Sequence, residues 1–293
     1  MKKILIDTDL CCDCDDALAL AIANICHNKG LIKLLGVTHC FNDDSCAHFA
    51  QKINAYYRND VPVGKSNCCV FDFKETKKYF VNQLTDGDSV CAYPCSLDIT
   101  LEQLYRNTDV TLVYIGQLNN LAQLIDLSGE QYKGEKIGDL LRTRVREIVI
   151  MAGDFSDGSD RTIRAEFNVV KDLQAAIKVF SQADLPITVL DSRNGGNVWT
   201  GASIKAQTNN PAGQAYRLFC DGICGTDLRP SWDPLTVLYA IFGVGDGFAL
   251  SENGKISVDG TGITTFETGV GKHRLLKAVD KIRLAKRIET LTQ

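Results

Sequence analysis

Residues 1–26 read MKKILIDTDLCCDCDDALALAIANIC, and they indicate how the whole chain is organised. The apolar run from Lys3 to Ile6 predicts a short buried strand that ends at Asp7. The pattern from Asp15 to Cys26 predicts a helix. Because a strand is followed directly by a loop and a helix, the chain begins as an alternating strand–helix structure.

The same alternation continues as far as Leu190. It predicts strands at Ile32 to Thr38, Val110 to Ile115, Glu147 to Met151 and Ile187 to Leu190. It predicts helices at Ser45 to Tyr57, Leu118 to Asp126 and Asp172 to Phe180. This order favours an α/β fold with a mostly parallel sheet flanked by helices. Ligands of such sheets bind outside the carboxyl ends of the strands, so the residues after each strand are the candidates for function.

Beyond Leu190 the pattern weakens. Helices are predicted at Pro211 to Cys220 and Pro234 to Ile241. The Gly-rich segment from Gly243 to Thr265 suggests hairpins. No linker rich in Pro, Gly or Ser divides the chain. We therefore expect residues 1–293 to form a single domain.

Composition excludes several classes of protein. The 293 residues are 45% hydrophobic and 23% charged with a net charge of −4, which is typical of a globular protein. Without a Lys/Arg run, nucleic acid is not expected as the main partner. The apolar stretch from Ala17 to Cys26 is about half the length that a membrane span needs. With no export signal at the N-terminus, the twelve cysteines indicate a cytoplasmic protein with mostly reduced thiols.

Five carboxylates follow the first predicted strand within ten residues: Asp7, Asp9, Asp13, Asp15 and Asp16. Like charges this close raise one another's pKa unless a positive group is shared between them. The N-terminus of the following helix offers a partial positive charge. A hard divalent cation such as Ca²⁺ or Mg²⁺ would do more, since carboxylate oxygens are its preferred ligands. The alternative is a charged loop in solvent.

Two other chemistries remain open for this loop. Its interleaved thiols, Cys11, Cys12 and Cys14, are compatible with zinc only if a second pair of thiols comes from elsewhere in the chain. The strand followed by Asp7 and Asp9 also resembles haloacid dehalogenase-type Mg²⁺ phosphatases. In that pattern Cys11 stands where Thr or Val belongs.

Later segments carry weaker signals. Glu166 and Asn168 follow the strand that ends at Met151, and a carboxylate with an amide suits vicinal sugar hydroxyls. Most such pairs are only surface polar residues. Asp233 is an expected helix N-cap before Pro234, and Trp232 beside it is an expected core residue.

Together these segments resemble the inosine–uridine-preferring nucleoside hydrolase family over most of the chain. The markers, in order, are DTD at 7–9 with DDALALA at 15–21, Asn42, Asn54-Ala55 with Val61-Pro62-Val63, GQLNNLA at 116–122, Met151-Ala152-Gly153, AEFN at 165–168 and Trp232-Asp233-Pro234. Seven markers in the right order support the resemblance more strongly than any one of them.

The resemblance implies a Rossmann-like nucleoside hydrolase fold and a Ca²⁺-dependent N-glycosidase that cleaves nucleosides to ribose and base. Asp9 would bind calcium and activate the attacking water. The other calcium ligands would be Asp16, Asn119 through its backbone carbonyl, and Asp233. The ribose would be held by Asp15, Asn42, Glu166 and Asn168, with Asp160 in the place of an asparagine. The expected partner is a small nucleoside in a salvage role, and the expected assembly is a homo-oligomer, dimer or tetramer.

Two departures from the family pattern shape these expectations. Asp13 is extra when the loop is aligned by Asp15-Asp16-Ala17, and it remains an alternative to Asp15 or Asp16 as a ligand. Trp232 stands where the uridine-cleaving branch has a His that acts as a general acid. A Trp directly before the metal-binding Asp is instead similar to the purine-preferring branch. We therefore expect purine nucleosides, with Trp232 stacked on the base. A non-catalytic nucleoside- or ribose-binding relative, altered at Asp160 and Trp232, is the other alternative.

Overall fold

The structure is a computed structural model that describes residues 1–11, 13–68, 80–155, 164–182, 184–245 and 247–293. Its strands are β1 (Lys2–Thr8), β2 (Ile32–His39), β3 (Val63–Lys65), β4 (Val110–Tyr114), β5 (Gln131–Tyr132), β6 (Glu135–Lys136), β7 (Val145–Met151), β8 (Ile187–Leu190), β9 (Trp199–Thr200), β10 (Arg229–Pro230), β11 (Phe248–Leu250), β12 (Gly254–Val258), β13 (Thr264–Thr268) and β14 (Arg274–Ala278).

Its helices are α1 (Asp15–Asn28), α2 (Asp44–Tyr56), α3 (Val81–Leu84), α4 (Ser96–Arg106), α5 (Asn119–Asp126), α6 (Ile137–Arg144), α7 (Phe167–Lys171), α8 (Leu173–Phe180), α9 (Ser192–Gly196), α10 (Ala202–Lys205), α11 (Pro211–Phe219), α12 (Trp232–Phe242) and α13 (Lys281–Leu291). Short 3₁₀ and π turns follow α5 and α11. Within the described ranges, no helix has the length and apolar character needed to cross a membrane.

The central sheet has the strand order β11-β14-β8-β7-β4-β1-β2-β3. Every neighbouring pair in it is parallel except β11 with β14. The expected α/β architecture with a mostly parallel sheet is therefore confirmed. β1 lies next to the middle of the sheet, and its successive side chains enter opposite layers: Ile4 and Ile6 pack in one hydrophobic cluster and Leu5 in the other. Burial on both faces explains why its sequence is a continuous apolar run.

The C-terminal third differs in detail from the expectation of simple hairpins. β12 and β13 do form an antiparallel hairpin. β11 instead pairs with β14, which lies parallel beside β8 and extends the central sheet. Short Gly-rich runs indicate that strands exist, but they carry no information about which distant strand will be the partner.

One pair of cysteines is oxidised, although mostly reduced thiols were expected. Cys11 and Cys46 form a disulfide with Cα atoms 6.3 Å apart, joining the loop after β1 to the first turn of α2. Eight other described cysteines are outside this disulfide and are reduced: Cys14, Cys26, Cys40, Cys68, Cys91, Cys95, Cys220 and Cys224. The pair is separated by 35 residues, and only the packing of α2 beside the loop brings the two sulfurs together.

Candidate active site

A cavity of about 680 Å³ lies at the carboxyl ends of the central strands. Asp9, Ile115 and Met151 line it from the ends of β1, β4 and β7. This is the edge at which parallel sheets bind ligands. The predicted site residues that line it are Asp9, Asp15, Asp16, Glu166, Asn168, Trp232 and Asp233.

Three carboxylates converge in this cavity. Oxygens of Asp9, Asp16 and Asp233 lie within 4.8 Å of one another, although the side chains come from the loop after β1, the start of α1 and the start of α12. All three residues are at most 5% exposed. Among the described residues, no ion pair reaches any of them. Burial, then the charges of neighbouring carboxylates, raise the pKa of Asp16 and Asp233, and the pKa of Asp9 rises to about 7.

Neighbouring groups fix these carboxylates. The Gln117 side-chain amide donates to Asp9 Oδ2 at 3.0 Å, and the Thr8 hydroxyl donates to Asp16 Oδ1. Gly116 lies so close to Asp9 that a Cβ there would be 2.7 Å from the Asp9 backbone nitrogen. Gly116 and Gln117 belong to the GQLNNLA marker, but no role for either residue was predicted from the sequence.

The donor set fits a hard divalent cation. Buried carboxylates without a counter-ion are strongly unfavourable, and oxygen ligands suit Ca²⁺ or Mg²⁺. The second group with metal-ligand chemistry, Cys11, His39 and Cys46, does not fit zinc in this structure. Its two sulfurs are bonded to each other. His39 Nδ1 accepts the Phe41 N–H at 3.1 Å, which leaves the ring proton on Nε2, 3.2 Å from the Leu10 carbonyl.

Asp13 and Asp15 have different environments. The Arg229 guanidinium binds Asp13, with Nε 2.9 Å from Oδ1 and 3.0 Å from Oδ2, so Asp13 already has a cation. Both residues line the cavity, but Asp15 has no such partner in the described part of the chain and accepts the Asp233 N–H at 3.1 Å. Burial, then the charge of Asp13, raise the pKa of Asp15. Asp13 therefore stands apart from the three converging carboxylates.

Glu166 and Asn168 also line the cavity. Glu166 is the N-cap of α7: it accepts N–H groups of Asn168 and Val169 at 2.9 and 3.2 Å, and that of Gly153 at 3.0 Å. Burial still raises the pKa of Glu166 to about 7. The Asn168 amide donates to the Met151 carbonyl at 3.2 Å. Both side chains are thus held rigidly at the cavity surface.

Trp232 lines the cavity, and contacts with neighbouring residues hold its ring in place. Its indole N–H donates to the Ser192 carbonyl at 2.8 Å. The ring packs against Gly195, where an added Cβ would lie 2.3 Å from a ring carbon. The Arg229 guanidinium carbon is 5.2 Å from the ring centroid. Trp232 is therefore part of the packing as well as of the cavity surface.

The remaining predicted residues lie elsewhere. Asn42 is exposed in the turn between β2 and α2 and does not line the described cavity, because the turn buries Phe41 and leaves Asn42 in solvent. The buried Asn119 amide donates to the carbonyls of Cys40 and Cys68, so its side chain fastens two loops. Asp160 falls outside the described residues.

Comparison with known proteins gives a consistent picture. A family model described as inosine-uridine preferring nucleoside hydrolase matches residues 4–290. The fold is similar to that of an inosine-uridine preferring nucleoside hydrolase from Bacillus anthracis, with 18% identity, a TM-score of 0.72 and coverage of 100% of this chain and 99% of that one. An inosine-guanosine nucleoside hydrolase gives the same four values. At this identity the likeness establishes the fold alone.

A third solved structure has a different description. The type III effector protein XopQ, complexed with adenosine diphosphate ribose, has 16% identity and a TM-score of 0.76, covering 99% of this chain and 93% of that one. No protein of curated function matches this sequence significantly.

Proposed function

The chain belongs to the inosine-uridine preferring nucleoside hydrolase family, and we propose that it is a Ca²⁺-dependent N-glycosidase that hydrolyses ribonucleosides to ribose and free base. The observation that carries the proposal is the convergence of Asp9, Asp16 and Asp233 in the cavity. Membership of this family removes the phosphatase alternative.

Asp9, Asp16 and Asp233 would hold the cation. When bound, a divalent cation lowers the pKa of water and offsets the negative charge of the buried carboxylates. Asp9 accepts the proton of the water that attacks the anomeric carbon. A bound cation would keep the Asp9 carboxylate ionised and therefore able to accept a proton, and the Gln117 amide holds this carboxylate in orientation.

The other cavity side chains act on the sugar. Asp15, Glu166 and Asn168 offer oxygen acceptors to the ribose hydroxyls, and their hydrogen bonds to backbone groups fix their positions. Cleavage passes through an oxocarbenium-like state, which anionic groups around the ribose stabilise. Asn42 is left out of this set because it is exposed, and Asp160 stays a prediction.

The proposed preference is for purine nucleosides. Trp232 offers aromatic surface at the cavity, and a purine gains more from stacking than a pyrimidine. The test is an assay of released reducing sugar across a nucleoside panel with Ca²⁺ present. Inosine and guanosine should be cleaved faster than uridine, and a calcium chelator should abolish release. No sugar release from any nucleoside would refute the proposed hydrolase.

Binding without turnover is a second candidate. It is favoured by the similar fold of the effector protein that was crystallised with adenosine diphosphate ribose. Calorimetry with that compound, run beside the sugar-release assay, separates the two functions. Tight binding without release of ribose from any nucleoside would support the second candidate.

A further inference from the structure

Arg229 presents a fixed guanidinium at the cavity. It lies on β10, with its central carbon 5.1 Å from the Phe219 ring centroid and 5.2 Å from that of Trp232. The carboxylate of Asp13 binds it along Nε and Nη2. Its side chain is only 21% exposed, so two aromatic rings and one carboxylate restrict its orientation.

Part of its hydrogen-bonding capacity remains. A guanidinium has five N–H donors. Asp13 takes the Nε donor and one on Nη2, and the Cys224 sulfur lies 3.7 Å from Nη1. Within the described part of the chain, one N–H on each terminal nitrogen has no protein acceptor. Because Arg229 lines the cavity, these donors are available to a bound molecule.

The proposed reaction needs such a group. When the bond from the anomeric carbon to the base breaks, its electron pair moves onto the base nitrogen, and this charge must be stabilised. Among the described residues that line the cavity there is no histidine or lysine. The arginines among them are Arg164, Arg193 and Arg229. Arg164 is exposed and Arg193 forms an ion pair with Asp154, whereas Arg229 lies beside Trp232, on the side where the base is proposed to bind.

We propose that Arg229 stabilises the departing base, an inference that rests on the hydrolase proposed above. The water oxygen bonds to the anomeric carbon, and the proton from water goes to Asp9. The bond to the base breaks, and the base leaves as an anion hydrogen-bonded to the guanidinium. The guanidinium keeps its own protons, and the base then takes one from solvent.

The two remaining donors also favour one class of base. A 6-oxopurine presents O6 and N7 as neighbouring acceptors, the pair that arginine binds in guanine recognition. Adenine replaces the oxygen with an amino donor. Inosine and guanosine should therefore be better substrates than adenosine, and R229Q should reduce that difference.

The test compares two leaving groups in the Ca²⁺-loaded enzyme. R229Q should lower kcat for inosine by about 10²–10³-fold, the usual effect of losing one preorganised donor. For 4-nitrophenyl β-ribofuranoside, whose nitrophenolate is stable without help, the loss should stay below about tenfold. Equal losses on both substrates would overturn the assignment, whereas a wild-type protein inactive on both would refute the hydrolase itself.

The double variant D13N/R229Q separates catalysis from charge balance. If Arg229 served only to neutralise Asp13, removing both charges would restore the inosine activity. We expect no restoration. R193Q is the matched control: it removes another cavity arginine and should leave the ratio of the two activities unchanged. Melting temperatures of all variants show whether each one folds.

Discussion

Asp9 is proposed to have two roles: it binds the cation and it accepts a proton. D9N removes both capacities, so kcat for inosine should fall by at least the 10²–10⁴-fold typical of a lost general base. D13N is the matched comparison on the same loop, since Asp13 binds Arg229 and stands apart from the converging carboxylates. It should cost far less in kcat. Equal losses in the two variants would mean that the loop's roles are assigned wrongly.

Trp232 is predicted to serve both base and fold. Stacking of a base on an aromatic ring contributes about 1–3 kcal/mol, so W232A should lower the catalytic efficiency on inosine at least about tenfold and that on uridine by less, which lowers the ratio of the two. The variant should also melt at a lower temperature, because the ring packs on Gly195. Kinetics and melting curves of the same sample test both points. A lower melting temperature with an unchanged ratio would leave only the packing role.

For single residues, the sequence predicted a role where the interacting residues are close together in the chain. Five carboxylates within ten residues of one strand end favoured a shared cation, and the resemblance then implied Asp9 and Asp16 as ligands. Gln117 lies 108 residues from Asp9, and nothing in its neighbourhood shows which carboxylate it will contact. Asn42 was assigned to the ribose by the resemblance, but a matching position in a motif does not fix the direction of a side chain in a turn.

At the scale of elements, the close approach of β1 and β4 depends on Gly116. G116A would place its Cβ 2.7 Å from the backbone nitrogen of Asp9, so one strand end must move. We expect a loss of about 1–3 kcal/mol in the free energy of unfolding, as for other overpacked sites, and weaker Ca²⁺ binding. Denaturant titration and calorimetry measure the two effects.

Gly129 provides the control for this prediction. A Cβ added there meets nothing within 4 Å, and the residue is exposed. G129A should therefore bind Ca²⁺ like the wild type and unfold within about 0.5 kcal/mol of it. If G116A behaved in the same way, the strand ends would have more room than the structure indicates.

Elements themselves were predicted unevenly. The predicted bounds of β8 match the structure, and α1 extends two residues beyond its predicted end. Both segments have a strong apolar pattern of their own, which does not depend on distant partners. β3, β14 and α13 were not identified. β3 has only three residues, and β14 depends on β8 for its place in the sheet, so local pattern carries little signal for either.

For the whole molecule, the buried carboxylates link stability to pH and metal. The pKa of Asp9 is about 7 in the folded, metal-free protein, against 3.8 for an unperturbed group. The folded state therefore binds more protons than the unfolded state between about pH 4 and 7, and the contribution of Asp9 to stability falls as pH rises through that window. Bound Ca²⁺ removes the penalty, because it favours the ionised carboxylate.

The rise in melting temperature on adding Ca²⁺ should consequently be larger at pH 8 than at pH 5. Calorimetric scans of chelator-treated and Ca²⁺-loaded protein at both pH values measure it. Asp7 and Glu166, whose pKa values also rise to about 7, act in both samples and cancel in the comparison. D16N should shrink the pH 8 effect. A calcium effect independent of pH would contradict the proposed ligands.

The order of strands also has a consequence for biosynthesis. Asp9 and Asp16 leave the ribosome early, but Asp233 follows more than two hundred residues later, and β14 must still insert between β8 and β11. At about 5–20 residues per second, the nascent chain carries its first aspartates for ten seconds or more before their partner exists. A stalled or truncated chain that ends before Asp233 would hold an incomplete cluster, and calcium could not rescue its folding.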